Sequence, residues 1–228
     1  MRPDIKAVGF DLDGTLYPNY SLNFKLIPFS VLHGRLLLAF GKARSIIRNE
    51  QEHSSAFPLP DLYNYQALIT AQILHDRADI IREKIDQLMY QGWEQVFKTV
   101  KLFAHAADTL KALKKAGLKL GLLSDFPPEN KLQHMGLSGI WDTVLCSERF
   151  GVIKPHARPF AKLAEALGLP AEKILYVGNS IPFDVAGASR AGMKTAWIKN
   201  RLARNRKKQP IPDFTFSDYR QLHNYMLG

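Results

Sequence analysis

Residues 5–15 read IKAVGFDLDGT, a short apolar and β-branched run that stops at a cluster of Asp, Gly and Thr. Such a run predicts a strand over residues 5–10 ending in a loop, with Asp11 and Asp13 just beyond its carboxyl end. Downstream the texture changes. From Tyr17 to about Val100 apolar residues recur at helical spacing, as in Leu62, Tyr65, Leu68 and Ile69, then Ile80, Ile81, Ile85 and Leu88. This predicts an all-helical insertion, divided near its middle by Pro58 and Pro60, with the polar stretch 48–55 as a loop between two helical hairpins.

Beyond Val100 two patterns alternate. Helices are expected near 106–116, 128–135, 158–167 and 181–191, and strands at 118–123, 143–146, 174–177 and 194–198, followed by a short strand at 214–216 and a terminal helix from Asp218. Helix and strand in alternation imply right-handed crossovers and a parallel sheet covered on both faces. The fold class is therefore α/β, a Rossmann-like core of residues 1–16 and 101–228 interrupted by a helical domain of residues 17–100.

Composition narrows the function. The chain has 228 residues, 46% of them hydrophobic and 23% charged, the balance of an ordinary globular protein. Thirty-one basic against 21 acidic residues give a net charge of +10, which favours anionic partners: phosphorylated small molecules, nucleic acid or an acidic surface. The stretch 194–208 is the most basic, with Lys194, Lys199, Arg201, Arg204, Arg206, Lys207 and Lys208 and no acid. It is expected to be a solvated loop, with anion binding as the sharper reading. A single cysteine, Cys146, excludes an internal disulfide, the 7 histidines share no ligand-like spacing, and no window reaches the apolar length of a membrane span. A cytoplasmic protein is expected.

In open parallel sheets ligands bind beyond the carboxyl ends of the strands. The polar residues there are Asp11 and Asp13, then Ser124 and Asp125, then Lys154, and finally Asn179 and Asp184. Carboxylates, an amide and a hydroxyl around one crevice are a set of hard oxygen ligands that suits Mg²⁺, and one ammonium group among them suits phosphate.

These residues also carry a family resemblance. DLDGT at 11–15, Ser124 at a strand end, Lys154-Pro155 before a helix and GNSIPFD at 178–184 resemble, in order and spacing, the four motifs of the haloacid dehalogenase-like hydrolase superfamily. The helical block between the first and second motifs lies where one class of cap domain is inserted in that superfamily. The resemblance implies that Asp11 is the nucleophile that forms an aspartyl-phosphate and that Asp13 is the general acid and base. It implies that Ser124, the loop at Asp125 and Lys154 bind the phosphoryl group, and that Asp11, the Asp13 carbonyl, Asp184 and Asn179 hold Mg²⁺. Asn179 departs from the Asp commonest at its position, which predicts weaker metal binding. Asp13 marks phosphatase-type members and not dehalogenases. The expected activity is thus Mg²⁺-dependent hydrolysis of a small phosphate monoester. A phosphomutase, or a catalytically weak anion- or nucleic-acid-binding protein on the same fold, are the alternatives at this stage.

Overall fold

The computed structural model describes residues 2, 4–19, 27–92, 97–199 and 210–228, the side chains of residues 27–30 excepted. Six strands, β1 (Ala7–Phe10), β2 (Lys119–Ser124), β3 (Thr143–Cys146), β4 (Ile174–Gly178), β5 (Lys194–Ile198) and β6 (Phe214–Phe216), form one sheet in the order β3-β2-β1-β4-β5-β6. Every pair is parallel, with Val8 opposite Leu120 on one side and Leu175 on the other. Parallel strands need crossovers, and these are helices α4 (Ala106–Lys115), α5 (Glu129–His134), α6 (Ala157–Leu167) and α7 (Ala186–Arg190), with α8 (Tyr219–Leu227) closing the chain.

The period of two along each strand sorts the core. Val8, Phe10, Leu120, Leu122, Leu175 and Val177 face one side and pack against Leu110, Leu113, Leu222 and Met226. Ala7, Leu123, Ile174 and Tyr176 face the other and pack on Phe160, Leu163 and Leu167. Both faces are thus dry, as the uninterrupted apolar strands require. Phe160 meets Tyr176 edge to face with centroids 4.9 Å apart, and its truncation to alanine should cost about 3–5 kcal/mol.

Between β1 and β2 lie α1 (Ile27–His53), α2 (Leu62–Leu74) and α3 (Ala78–Ile85), the last continuing into a wide turn over Asp86–Gln91. Leu36, Phe40, Ala67, Ala71, Ile81 and Ile85 form their shared core. Asp61 caps α2 by accepting from the Asn64 N–H at 2.9 Å. One expectation fails: residues 48–53 are not loop but the last turns of α1, which bends at His33 and runs on to His53. The polarity of this stretch misleads because two of its polar side chains, Arg48 and Gln51, are spent on the core while Asn49, Glu52 and His53 face solvent. Gln51 donates to the Ile153 carbonyl (2.6 Å) and accepts from its N–H (3.0 Å), and Arg48 Nε donates to the Lys154 carbonyl at 2.9 Å.

A second anchor lies alongside. Leu59 N–H donates to the Gly151 carbonyl at 3.0 Å. Gly151 has φ +73°, and a Cβ there would fall 2.0 Å from the Leu59 carbonyl oxygen. Only glycine fits both the left-handed backbone and this approach. The buried Arg44 donates to Gln66 Oε1 (2.7 Å), to Asp125 Oδ2 (3.1 Å) and, closer still, to Glu148. The helical insertion is therefore fastened to residues 147–154 of the core through Arg44, Arg48, Gln51 and Leu59, with Gln66 and Tyr90 also bonded to Glu148.

Candidate active site

β1 and β4 are neighbours, and the strand order reverses between them, so their carboxyl ends open into the crevice such sheets use for ligands. Asp11 N–H continues the ladder by donating to the Val177 carbonyl at 2.9 Å, which fixes the backbone of the first loop residue. Its carboxylate accepts from Thr15 Oγ1 (2.7 Å) on one oxygen and from Lys154 Nζ (2.6 Å) on the other. Gly14, at φ +87°, lets the loop turn; a Cβ there would lie 2.1 Å from Asn179 Nδ2, so the two loops touch.

Lys154 is buried, and its ammonium bridges Asp11 and Asp184, with Asp184 Oδ1 at 2.7 Å. Burial alone would lower its pKa, but Asp11 and Asp184 more than offset that and hold it well above the ordinary lysine range. Its backbone is gripped from both sides, the N–H by Asp125 Oδ1 at 2.9 Å and the carbonyl by Arg48. The Asp11 pKa is raised as well: burial, with Asp184 and Asp13 nearby, pushes its carboxyl up to about 7 against the pull of Lys154. One buried ammonium does not neutralise these anions.

Asp13 lies on the open side of the same loop. Lys131 Nζ contacts both of its oxygens, at 2.7 and 2.8 Å, and the buried Tyr17 hydroxyl donates to Oδ1. Asp184 is turned back towards Lys154 by a wide helical turn over Ile181–Val185, in which Ser180 N–H donates to Asp184 Oδ2 at 3.0 Å. The helix expected over 181–191 thus opens with this turn and becomes α-helical only at Ala186, a distortion often found at functional sites.

A cleft of about 570 Å³ brings together Asp11, Asp13, Asp125, Lys154, Asn179 and Asp184, with Arg48 and Phe183 on its wall. Ser124 is different. It is fully buried at the end of β2, and its Oγ accepts from Phe126 N–H at 3.2 Å. The Asp125 carboxylate holds Arg44, Arg48, Ser147 and the Lys154 N–H, so only its backbone N–H is chemically suited to a phosphate oxygen.

Sequence reasoning missed Lys131, Tyr17 and Thr15 as carboxylate partners and missed Arg44 and Arg48 altogether. The signal for the arginines was their i, i+4 spacing, which puts both on one face of α1. Residues 200–209 of the basic stretch lie outside the described residues, while Lys194 pairs with Asp213 at 3.4 Å. Among the described residues no helix is long and apolar enough to cross a membrane.

Among the described residues no group of three His, Cys, Asp or Glu side chains forms a ready metal cage. Mg²⁺ does not ask for one, since it keeps several waters and is held by one or two carboxylates together with substrate phosphate. Asp11, Asp184, the Asn179 amide and the Asp13 carbonyl are all oxygen donors at the one cleft, the hard ligands that Mg²⁺ takes. The residues fit such an ion.

A model of the haloacid dehalogenase-like hydrolases matches residues 5–192. The chain is 27% identical to the glyceraldehyde 3-phosphate phosphatase of Methanocaldococcus jannaschii over 96% of its own length and 95% of the relative's. It is 28% identical to the (S)-2-haloacid dehalogenase of a Pseudomonas species over 85% and 82%. In three dimensions it is similar to a phosphatase of this type from Thermococcus onnurineus (TM-score 0.62, 22% identity, 98% and 99% covered). It is also similar, at a higher TM-score, to the L-2-haloacid dehalogenase of Xanthobacter autotrophicus (TM-score 0.69, 20% identity, 98% and 99% covered). At such identities the two structures show a shared fold alone. Ordered motifs, the sheet that gathers them and a match over most of the length agree: the chain belongs to the haloacid dehalogenase-like hydrolase family.

Proposed function

We propose that the chain is a Mg²⁺-dependent phosphatase that hydrolyses a small phosphate monoester through a phosphorylated Asp11, with residues 17–100 as the cap over the core. The observation that carries this reading is the position of Asp13. A carboxylate that is not the nucleophile faces the same cleft as Asp11 and is held in place by Lys131 and Tyr17. Halide departs without a proton, so dehalogenation needs no such group, whereas an alkoxide leaving phosphorus does. Relatives of both kinds share the fold, and Asp13 favours the phosphatases among them.

In this reading an Asp11 oxygen attacks phosphorus as the ester P–O bond breaks, and Asp13 gives its proton to the leaving alcohol oxygen. Asp13, now a carboxylate, takes a proton from water; that water attacks phosphorus, the acyl-phosphate P–O bond breaks, and phosphate and the Asp11 carboxylate are released. Lys154 offsets the charge of the transferring group, and backbone N–H groups after Ser124 cradle its oxygens. When bound at Asp11, Asp184, the Asp13 carbonyl and Asn179, Mg²⁺ supplies further charge neutralisation of the phosphoryl oxygens.

The test is hydrolysis of 4-nitrophenyl phosphate with and without Mg²⁺. Turnover should require the metal and vanish in Asp11→Asn. Asp13→Asn should release about one equivalent of nitrophenolate and then stall as the phosphoenzyme, because this leaving group needs little protonation while the attacking water still needs a base. Metal-independent turnover, or full activity in Asp11→Asn, would refute the reading.

A further inference from the structure

We infer that the alcohol half of the substrate is an apolar, ring-sized group, seated in a second cavity that shares Asp13 with the catalytic cleft. The inference rests on the phosphatase reading above and specifies its substrate class. This cavity has a volume of about 290 Å³, and Met89, Tyr90, Phe97, Phe126 and Pro127 wall it. Asp13, Asn19 and Phe126 stand where it meets the cleft, and Lys131 lines it beside Asp13. Because Asp13 must reach the leaving oxygen, the group attached to that oxygen points into this space.

The walls offer little to a polyhydroxylated alcohol. Tyr90 turns its hydroxyl away, to Glu148 (3.2 Å to each carboxylate oxygen) and Gln66 (3.3 Å), and presents its ring. Tyr90 and Phe126 lie 6.0 Å apart between centroids, and Lys131 Nζ sits 4.7 Å from the Phe97 centroid while holding Asp13. The exposed polar residues Glu129 and Asn130 line it as well, Glu129 paired with Arg149 at 2.6 Å, while the Asn19 amide lies by Gly14 at the junction with the cleft, where the phosphoryl end enters. A hydroxyl-rich alcohol would lose its water here without replacement hydrogen bonds, whereas a ring would gain offset or edge contacts with three aromatic side chains. The volume is at the small end for ligand pockets and fits one ring with a short linker.

The experiment compares kcat/KM for 2-phenylethyl phosphate and 2-hydroxyethyl phosphate, both esters of primary alcohols, with acetyl phosphate as a substrate that needs no alcohol pocket. The wild type should prefer the phenyl ester by roughly tenfold or more. Phe97→Ala, and separately Met89→Ser in case the first fails to fold, should erase most of that preference by raising KM for the phenyl ester. Equal or better turnover of the hydroxyethyl ester, or turnover of acetyl phosphate alone, would overturn the pocket assignment and leave the phosphatase intact. Inactivity on all three at millimolar Mg²⁺ would defeat the phosphatase reading and the substrate class with it.

Discussion

Lys131 Nζ holds both oxygens of the Asp13 carboxylate, at 2.7 and 2.8 Å, from the opening turn of α5. An ammonium in this position fixes the rotamer of a group whose usefulness depends on where its proton is delivered. Lys131→Met should therefore lower kcat by roughly 10- to 100-fold with a smaller change in KM for acetyl phosphate, and Lys131→Arg should recover part of the loss. A rise in KM with kcat unchanged would make Lys131 a substrate contact and not a positioning residue.

Asp11→Asn should abolish turnover and make the protein more stable. Burial and the neighbouring Asp184 and Asp13 push the Asp11 carboxyl up to about 7, so near neutral pH the fold carries an anion it would hold more easily as a neutral group. Thermal melts without Mg²⁺ should show a higher Tm for the variant, the usual trade between stability and a strained active site. A lower Tm would mean that the Lys154 pairing outweighs the crowding.

Arg44→Met should be costly. It leaves Glu148 buried without its guanidinium partner, and breaking such a pair from one side costs about 3–5 kcal/mol. Adding Glu148→Gln should restore a large part of that loss in urea unfolding, since the stranded charge goes with it. Simple additivity of the two losses would refute the pairing.

Acid should loosen the same junction through Asp125. Burial pushes its carboxyl up, but Arg44, Lys154 and Arg48 more than offset this and hold it below the ordinary value of 3.8. A carboxyl depressed in the folded state stabilises the fold above its unfolded pKa, and the benefit is lost as pH falls through the lower folded value. Asp125→Asn should thus be less stable than wild type at pH 7, with the gap closing below about pH 4. A gap that persists to pH 2 would assign Asp125 a role independent of charge.

Asn179→Asp should lower the Mg²⁺ concentration needed for half-maximal activity, because it adds an anionic oxygen at the mouth of the Asp11 and Asp184 pair. A titration of activity against Mg²⁺ reads this directly; an unchanged midpoint would remove Asn179 from the metal's surroundings.

The sheet was legible because its strands are short runs rich in apolar and β-branched residues that end in a recognisable break: 143–146, 194–198 and 214–216 match the observed strands residue for residue. Asp11, Asp13, Lys154 and Asp184 were legible for the same reason, since strand ends can be read without knowing what packs on them. The end of α1 was not. Arg48, Asn49, Glu50 and Gln51 look like a solvated loop to any local reading, and only long-range bonds from Arg48 and Gln51 to residues 153–154 make them helical. Lys131, Tyr90 and Phe97 were invisible as site residues because nothing in their spacing says that α5, the wide turn after α3 and the return from the insertion converge beside Asp13.

The loop that receives α1 and Leu59 is also the loop that supplies Lys154. Insertion and core are therefore not interchangeable parts. A chimera that brought in another family member's helices would lose the arginine and glutamine that hold the loop from above, and with them the placement of the ammonium group between Asp11 and Asp184. Descent should have kept α1 and residues 147–154 together as one inherited unit, and any attempt to retarget the enzyme by exchanging the helices should carry that loop along.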